Sequence, residues 1–296
     1  LSRRQRQMCI RDRYEPVKKR SDSYQSEVAL EQEFIRLLCE QGYEYLPIHT
    51  EKDLIANLRK KLEELNNYQF SDTEWDDFFK NAVANPNEHI VEKTRKIQED
   101  NVQVLTRDDG SSKNITLIDK KNIHNNRLQV INQYKVNAAT GIREGSLGCV
   151  IGTENGAKHD NRYDVTILVN GLPLVHIELK RRGVAIREAF NQINRYQRDS
   201  FWAGCGLYEY IQIFVISNGT NTKYYSNSTR RNAEKEHEKR GASKTKTSNS
   251  FEFTCFWADA NNRVIPDLID FTKTFFAKHT ICLLYTSPSP RDRSLS

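Results

Sequence analysis

The sequence predicts an α/β fold with a mixed central sheet flanked by helices. Two observations carry this prediction. Residues 163–180 (YDVTILVNGLPLVHIELK) alternate apolar and polar side chains on both sides of Asn170-Gly171, a pattern typical of a β-hairpin. A helical pattern over 183–202 and a mostly apolar run over 210–217 follow, so a crossover helix and a further strand should extend the sheet.

The apolar faces of the hairpin decide its predicted register. A two-residue turn would place the apolar residues of the two strands on opposite faces of the sheet, and a slip of one residue places them on the same face. We therefore predict a three-residue loop with a bulge, or an equivalent bulge near Pro173. In that register Asp164 lies opposite Glu178, with Lys180 on the same face.

The helix over 183–202 places Gln192 and Tyr196 four residues apart, and hence on one face. This face should lie beside the strand that carries Glu178 and Lys180. Ordinary packing of a helix on the sheet is the alternative reading of the pair.

The other elements follow from periodicity and from turn signals. Helices are predicted over 26–41, 50–66, 75–83 (behind a cap at 71–74) and 264–278. Strands are predicted over 102–106, 115–119, 127–134, 222–226 and 251–257. The first three of these strands should complete the sheet on one side of the hairpin, and residues 89–100 could be helical or extended.

Asp164, Glu178 and Lys180 form a candidate chemical site. Two carboxylates held close together repel each other, and a hard divalent cation such as Mg²⁺ relieves that repulsion. A bound metal lowers the pKa of a water ligand and neutralises charge on a scissile phosphate. Lys180 could orient or activate that water, or stabilise the transition state. The pattern alone also fits a salt-bridge cluster on an exposed sheet face.

Asp164, Glu178-x-Lys180 and Gln192-x-x-x-Tyr196 together resemble the PD-(D/E)xK nuclease superfamily. The closer resemblance is to the N-terminal nuclease domain of the restriction (R) subunit of type I restriction–modification enzymes. Its further segments are DSYQSE (22–27), GYEYL (42–46), LIDKKN (117–122), RGVAIREAFNQI (182–193) and FVISNGT (214–220). One departure is a tyrosine before Asp164 where the superfamily has proline, which is not a ligand.

The resemblance implies a metal-dependent DNA endonuclease with a PD-(D/E)xK core. Asp164, Glu178 and the main-chain carbonyl of Leu179 would hold Mg²⁺, and Lys180 would position the attacking water.

The resemblance also implies roles for residues outside the strands. Gln192 and Tyr196 would contact DNA near the cleavage site or support the catalytic residues. In many nucleases of the superfamily an acidic residue on the first helix reaches the metal, and Glu31 is the candidate here, with a solvated helix charge as the alternative.

The expected partners are double-stranded DNA and the methylase (M) and specificity (S) subunits, in a prokaryotic cytoplasm. An ATP-driven translocase would lie C-terminal to this piece. The chain contains no GxxxxGK[ST] motif, so ATP would act only through those missing motor domains. The alternatives are a repair or recombination nuclease of the same fold, and a catalytically silent DNA-binding or docking module.

Composition limits the remaining possibilities. The 296 residues contain no apolar run of membrane-spanning length and no evident signal peptide, and the six cysteines have no metal-binding spacing. Most of the net charge of +6 lies in residues 1–14 and 282–296, which lack periodicity and resemble translated adapter sequence. The predicted endonuclease domain is 15–281, with loop insertions near 136–159 and 230–250.

Overall fold

The computed structural model describes residues 26–136, 160–227 and 250–286. The strands are β1 (Glu44–Tyr45), β2 (Val102–Thr106), β3 (Ser112–Thr116), β4 (Leu128–Val136), β5 (Asn161–Val169), β6 (Leu172–Leu179), β7 (Ile213–Ser217) and β8 (Thr222–Ser226). The helices are α1 (Glu27–Glu40), α2 (Glu51–Asn66), α3 (Asp72–Phe78), α4 (Ile90–Gln98), α5 (Ile186–Asp199), α6 (Leu268–Phe275) and α7 (Lys278–Thr286). A π-helical turn, Phe79–Val83, continues α3.

Six strands form one mixed sheet in the order β1-β4-β5-β6-β7-β8. β1 pairs with β4 in parallel and β4 with β5 antiparallel, while β6 pairs with β7 in parallel and β7 with β8 antiparallel. Since β6 and β7 are parallel neighbours and α5 lies between them in the chain, the predicted crossover is confirmed. The α/β class with a mixed sheet and flanking helices is likewise confirmed.

The chain divides into two compact units. Among the described residues, the first contains 26–42, 175–194, 212–227 and 250–286, and the second contains 43–136, 160–174 and 195–211. In the first unit, α1 and α6 bury aromatic and leucine side chains together, with the rings of Phe34 and Phe276 5.7 Å apart. In the second, α2 buries Leu54, Leu58 and Leu62.

The hairpin between β5 and β6 has a two-residue turn, so the predicted three-residue loop is wrong, and the alternative of a bulge near Pro173 stays a prediction. Asn170 and Gly171 alone separate the strands, and their φ angles are 51° and 86°. Both strands are buried on both faces, except for Arg162 and the half-buried Asp164. The prediction assumed that only one face of each strand is buried, so that burial of the apolar side chains selects the register. When both faces of a strand are buried, burial does not distinguish between the two registers.

Contacts within the second unit fix this turn. A Cβ atom on Gly171 would lie 2.6 Å from the Cα atom of Leu58 in α2, so no larger residue fits. The buried side chain of Asn170 accepts a hydrogen bond from the main-chain N–H of Arg127 at 2.8 Å and donates one to the Leu117 carbonyl at 3.0 Å. The turn is therefore held by segments that precede the hairpin in the chain.

The helices predicted over 26–41 and 50–66 are confirmed together with their start signals. Ser26 and Thr50 are the N-caps of α1 and α2, and each side chain accepts a hydrogen bond from a main-chain N–H three residues on. The cap predicted before residue 75 is a capping box that begins at Ser71. The open choice at 89–100 resolves as the helix α4.

β2 and β3 do not join the central sheet, contrary to the prediction. They pair with each other in a separate two-stranded sheet, and the second of them ends at Thr116 instead of continuing to 119. The side chain of Asn66 at the end of α2 donates to the Thr116 carbonyl at 2.9 Å and accepts from its N–H at 2.7 Å. This amide occupies main-chain groups that another strand would need.

The C-terminal part of the described chain differs from the prediction in two places. Residues 251–257 form a short 3₁₀ turn and one β-bridge, Tyr224 to Cys255, instead of a strand. The predicted helix over 264–278 begins only at Leu268, because Asp267 caps it by accepting from the Ile269 N–H at 2.9 Å.

The structure also bears on the predicted domain limits. α7 runs to Thr286, beyond the predicted domain end at 281, and Cys282 within it is fully buried. The predicted insertions at 136–159 and 230–250 fall outside the described residues except for their first or last residue, as do residues 1–14 and 287–296.

Candidate active site

Three polar side chains share one face of β6: His176, Glu178 and Lys180, which follows the strand directly. The Nζ atom of Lys180 lies 3.2 Å from Oε1 of Glu178, and Nε2 of His176 lies 3.6 Å from Oε2 of the same carboxylate. The side chains of His176 and Glu178 are fully buried, and that of Lys180 is 13% exposed. The strand therefore presents one carboxylate between two nitrogen groups, one at each oxygen.

The partners of His176 and Glu178 on the neighbouring strand β7 are apolar side chains. In the parallel register of β6 and β7, His176 is paired with Phe214 and Glu178 with Ile216, both fully buried. An ionised carboxylate in such surroundings loses several kcal/mol of hydration free energy, and a close ammonium and imidazole offset part of that loss. A buried charge kept at this cost is typical of functional sites.

Leu179, whose carbonyl was predicted as a metal ligand, is held in the same strand. It is paired with Ser217 of β7, and the N–H of Lys180 donates to the Ser217 carbonyl at 2.8 Å. These contacts fix the main chain of the Glu178-x-Lys180 motif through its last residue.

Asp164 lies on β5, the strand next to β6 in the sheet, and its side chain is half-buried. The residue before it, Tyr163, is fully buried. Its hydroxyl lies 2.6 Å from the Ser200 hydroxyl. The face-to-face pairing of Asp164 with Glu178 was predicted from the longer loop, and it stays a prediction.

Aromatic rings in the second unit enclose Tyr163. The ring centroids of Tyr208, Tyr196, Phe201 and Tyr134 lie 4.7, 4.9, 5.0 and 6.1 Å from its own. Burial raises the pKa of Tyr163, and likewise those of Tyr134 and Tyr208, so that these hydroxyls stay neutral over the physiological range. The strand segment that leads to Asp164 is thus held by ring packing.

Gln192 and Tyr196 occupy different environments. Gln192 is half-buried on α5, whereas Tyr196 is buried against Tyr163. The Tyr196 hydroxyl donates to the carbonyl oxygen of Arg162 at 2.9 Å, two residues before Asp164. Tyr196 therefore contacts the main chain of the strand that carries Asp164.

The N-terminal half of α1 lies against the segment that follows β6. The carboxylate of Glu27 accepts a hydrogen bond from the Arg181 N–H at 3.3 Å. Glu31, the residue proposed from sequence for the first helix, is 8% exposed and belongs to the buried face of α1. A solvated helix charge does not describe it.

The donor atoms on these strands are of the kind that a hard cation binds. Glu178 is a carboxylate held in a defined position, and carboxylate and carbonyl oxygens are the ligands that Mg²⁺ prefers. Within the described ranges no group of three or more His, Cys, Asp and Glu side chains is arranged to hold a metal. The predicted set is of another composition, with two carboxylates and one main-chain carbonyl. These are oxygen donors of the kind that Mg²⁺ prefers, and the set stays a prediction.

His176 was missed as a site residue, although the sequence contained a signal for it. It alternates with Val175 and Ile177 and so falls on the same strand face as Glu178 and Lys180. A histidine two residues before a predicted catalytic glutamate, on the same face, is close enough to act on it.

Among the described residues, no helix has both the length and the apolar character needed to cross a membrane.

Comparison with known proteins gives consistent matches. The family model described as the type I restriction enzyme R protein N terminus matches residues 24–233. The EcoprrI type I restriction enzyme endonuclease subunit of Escherichia coli is 46% identical over 286 residues, which cover 96% of this chain and 80% of that protein. The SsaAORF53P endonuclease subunit of Staphylococcus saprophyticus is 35% identical over 257 residues, covering 85% of this chain and 23% of that protein.

Coverage differs between these relatives. The chain spans less than a quarter of the length of the staphylococcal subunit and most of the E. coli sequence. The alignment with the E. coli relative is longer than residues 15–281, so it includes part of at least one end segment. The assignment of residues 1–14 and 282–296 as non-native stays a prediction.

Proposed function

Because the chain belongs to the family formed by the N terminus of type I restriction enzyme R proteins, we propose that it is the DNA endonuclease domain of such a subunit. The observation that carries the proposal is the buried Glu178 carboxylate, held by Lys180 at 3.2 Å on β6 next to the strand of Asp164. The substrate would be double-stranded DNA, and the reaction hydrolysis of a phosphodiester bond.

Asp164, Glu178 and the Leu179 carbonyl would hold the metal ion, with Mg²⁺ as the expected species. When bound, such an ion would acidify a water ligand and neutralise charge on the scissile phosphate. The ammonium of Lys180, positioned by Glu178, would hold the attacking water and favour the negative charge that develops on the phosphate.

Tyr196 would support the site by holding the main chain of β5. Its hydroxyl holds the Arg162 carbonyl and its ring packs on Tyr163, so it fixes the strand segment that ends at Asp164. This geometry favours the supporting role over direct DNA contact. Gln192, half-buried on α5, would contact DNA near the cleavage site.

The partners and fuel would belong to the complete enzyme. The full-length subunit would assemble with methylase and specificity subunits, and its motor domains would use ATP to bring distant DNA to the nuclease. Cleavage by this domain would depend on that delivery instead of on a sequence read by the domain itself.

Plasmid cleavage by the complex rebuilt around the full-length subunit, with ATP and Mg²⁺, tests this function. We expect Asp164→Ala and Lys180→Ala each to lower the cleavage rate by at least about 100-fold, since each removes a group that acts on developing charge. Lys60→Ala, at an exposed lysine on α2, is the matched control and should cleave normally. Normal cleavage by the Asp164 and Lys180 variants would reduce the cluster to a structural ion pair.

A further inference from the structure

We propose that His176 is a positioning residue that orients the Glu178 carboxylate for metal binding. The inference rests on the metal site proposed above and adds to it a residue of this chain that the resemblance did not supply. Its basis is the two-sided contact of Glu178, with Lys180 at Oε1 and His176 at Oε2.

The location of His176 requires an explanation. Its side chain is fully buried in β6, where the flanking Val175 and Ile177 point to the opposite face and Phe214 is its partner across the sheet. An apolar residue of similar size would fill this space without the cost of desolvating an imidazole, roughly 1–3 kcal/mol. On the same strand face, the Nε2 atom of the imidazole lies 3.6 Å from Oε2 of Glu178.

The contact controls the rotation of the carboxylate. The last side-chain torsion of a glutamate has broad energy wells, so the groups in contact with its two oxygens decide how the carboxylate is turned. A second group at Oε2 restricts the turn. Because His176 lies on the same strand as Glu178, two residues away, the main chain of β6 fixes the position of the imidazole relative to the carboxylate. Residues that orient metal ligands in this way typically change metal affinity by about 10- to 100-fold when they are replaced.

The role requires a proton on Nε2 but does not require a charged ring. With a proton on Nε2, the neutral imidazole directs an N–H dipole toward Oε2, and the charged ring would do the same more strongly. Across the sheet on β7, the partner of His176 is Phe214 and the partner of Glu178 is Ile216, and both are apolar.

The test measures binding of Mn²⁺ to the 296-residue chain by electron paramagnetic resonance of the free ion. Mn²⁺ binds oxygen ligands as Mg²⁺ does and has a readable signal. We expect His176→Leu to raise the dissociation constant by about 10- to 100-fold. His176→Gln keeps an N–H group at this position and should remain close to the wild-type value.

Glu178→Ala separates the inference from the function on which it rests. If the wild-type chain fails to bind Mn²⁺, or Glu178→Ala binds as the wild type does, the proposed metal site is wrong. If Glu178→Ala loses binding while His176→Leu keeps wild-type affinity, the metal site stands and the role of His176 is overturned.

A double variant and a second apolar substitution complete the design. In the Glu178→Ala background, His176→Leu should weaken residual Mn²⁺ binding no further, because the residue acts through that carboxylate. Circular dichroism verifies folding, and His176→Met replaces the leucine variant if the latter does not fold. Failure of both apolar variants to fold would assign His176 to the fold alone and overturn the proposal.

Discussion

The two strands that carry the proposed catalytic residues are stabilised in opposite ways. The segment of β5 before Asp164 is fixed by Tyr163, whose ring is enclosed by four aromatic neighbours. The segment of β6 around Glu178 instead places His176 and Lys180 at the two oxygens of a buried carboxylate. Ring packing supplies stability, whereas the buried charge costs stability and supplies chemistry.

The difference separates residues that hold the site from residues that perform the reaction. Substitutions around Tyr163 should change the free energy of unfolding, and substitutions at Glu178 should change activity at nearly constant stability. Three measurements test this distinction.

The largest expected effect is at Tyr163. Tyr163→Ala should lower the free energy of unfolding by about 3–5 kcal/mol, because it leaves a cavity between the surrounding rings. Tyr163→Phe keeps the ring and removes only the hydroxyl near Ser200, so it should cost about 1 kcal/mol. Urea denaturation measures both values. Equal losses in the two variants would show that the hydroxyl, and not ring packing, holds this segment.

An intermediate effect should appear at alkaline pH. Burial raises the pKa of Tyr163, Tyr134 and Tyr208, so these groups contribute stability below pH ~10 that is lost as the pH rises from the unfolded pKa toward the folded one. Unfolding free energy should therefore fall above pH ~10 by about 1.4 kcal/mol per pH unit for each buried tyrosine.

Tyr163→Phe should reduce this alkaline slope, and Tyr45→Phe, at an exposed tyrosine on β1, should leave it unchanged. Urea denaturation at a series of pH values gives the slopes. An unchanged slope in the Tyr163 variant would mean that the ring cluster opens before its hydroxyls ionise.

The smallest expected effect on stability is at Glu178, where the effect on activity should be large. Glu178→Gln keeps the shape of the side chain and removes the carboxylate charge. The Lys180 ammonium that loses this partner is 13% exposed and can be hydrated, so unfolding free energy should change by no more than about 1 kcal/mol. Cleavage should be lost. The matched control is Glu188→Gln, at an exposed position on α5. A strongly destabilised Glu178→Gln protein would make this carboxylate a structural group like Tyr163.

Several elements with clear local signals were predicted to within a residue or two. The caps at Ser26 and Thr50 fixed the starts of α1 and α2, and residues 222–226 form β8 as expected. These features depend on hydrogen bonds and side-chain patterns within a few residues, which a sequence displays directly.

Features decided by distant residues were not predictable in this way. The separation of β2 and β3 from the main sheet involves Asn66, which lies 50 residues before Thr116. The short hairpin turn is compatible with β5 and β6 only because both faces of both strands are covered. The alternation of apolar and polar residues suggested that one face of each strand is buried. The second face is covered by other elements of the fold, and the sequence of the strands does not show this.

The candidate site was predictable in its charged residues and not in its supporting ones. Glu178 and Lys180 were expected from a motif, and their contact at 3.2 Å agrees with that expectation. The approach of His176 to Oε2 and of Tyr196 to the Arg162 carbonyl depends on side-chain directions that residue spacing does not give.

The anchored hairpin turn also bears on how the chain acquires its structure during synthesis. Leu117, Asn126 and Arg127, the partners of the Asn170 amide side chain, all precede it by 43 to 53 residues. Each of them leaves the ribosome before Asn170 does, so the hydrogen-bond partners of the Asn170 side chain are already present when Asn170 emerges. The strand carrying Glu178 is made only afterwards, which lets vectorial synthesis complete the turn before the charged strand joins the sheet.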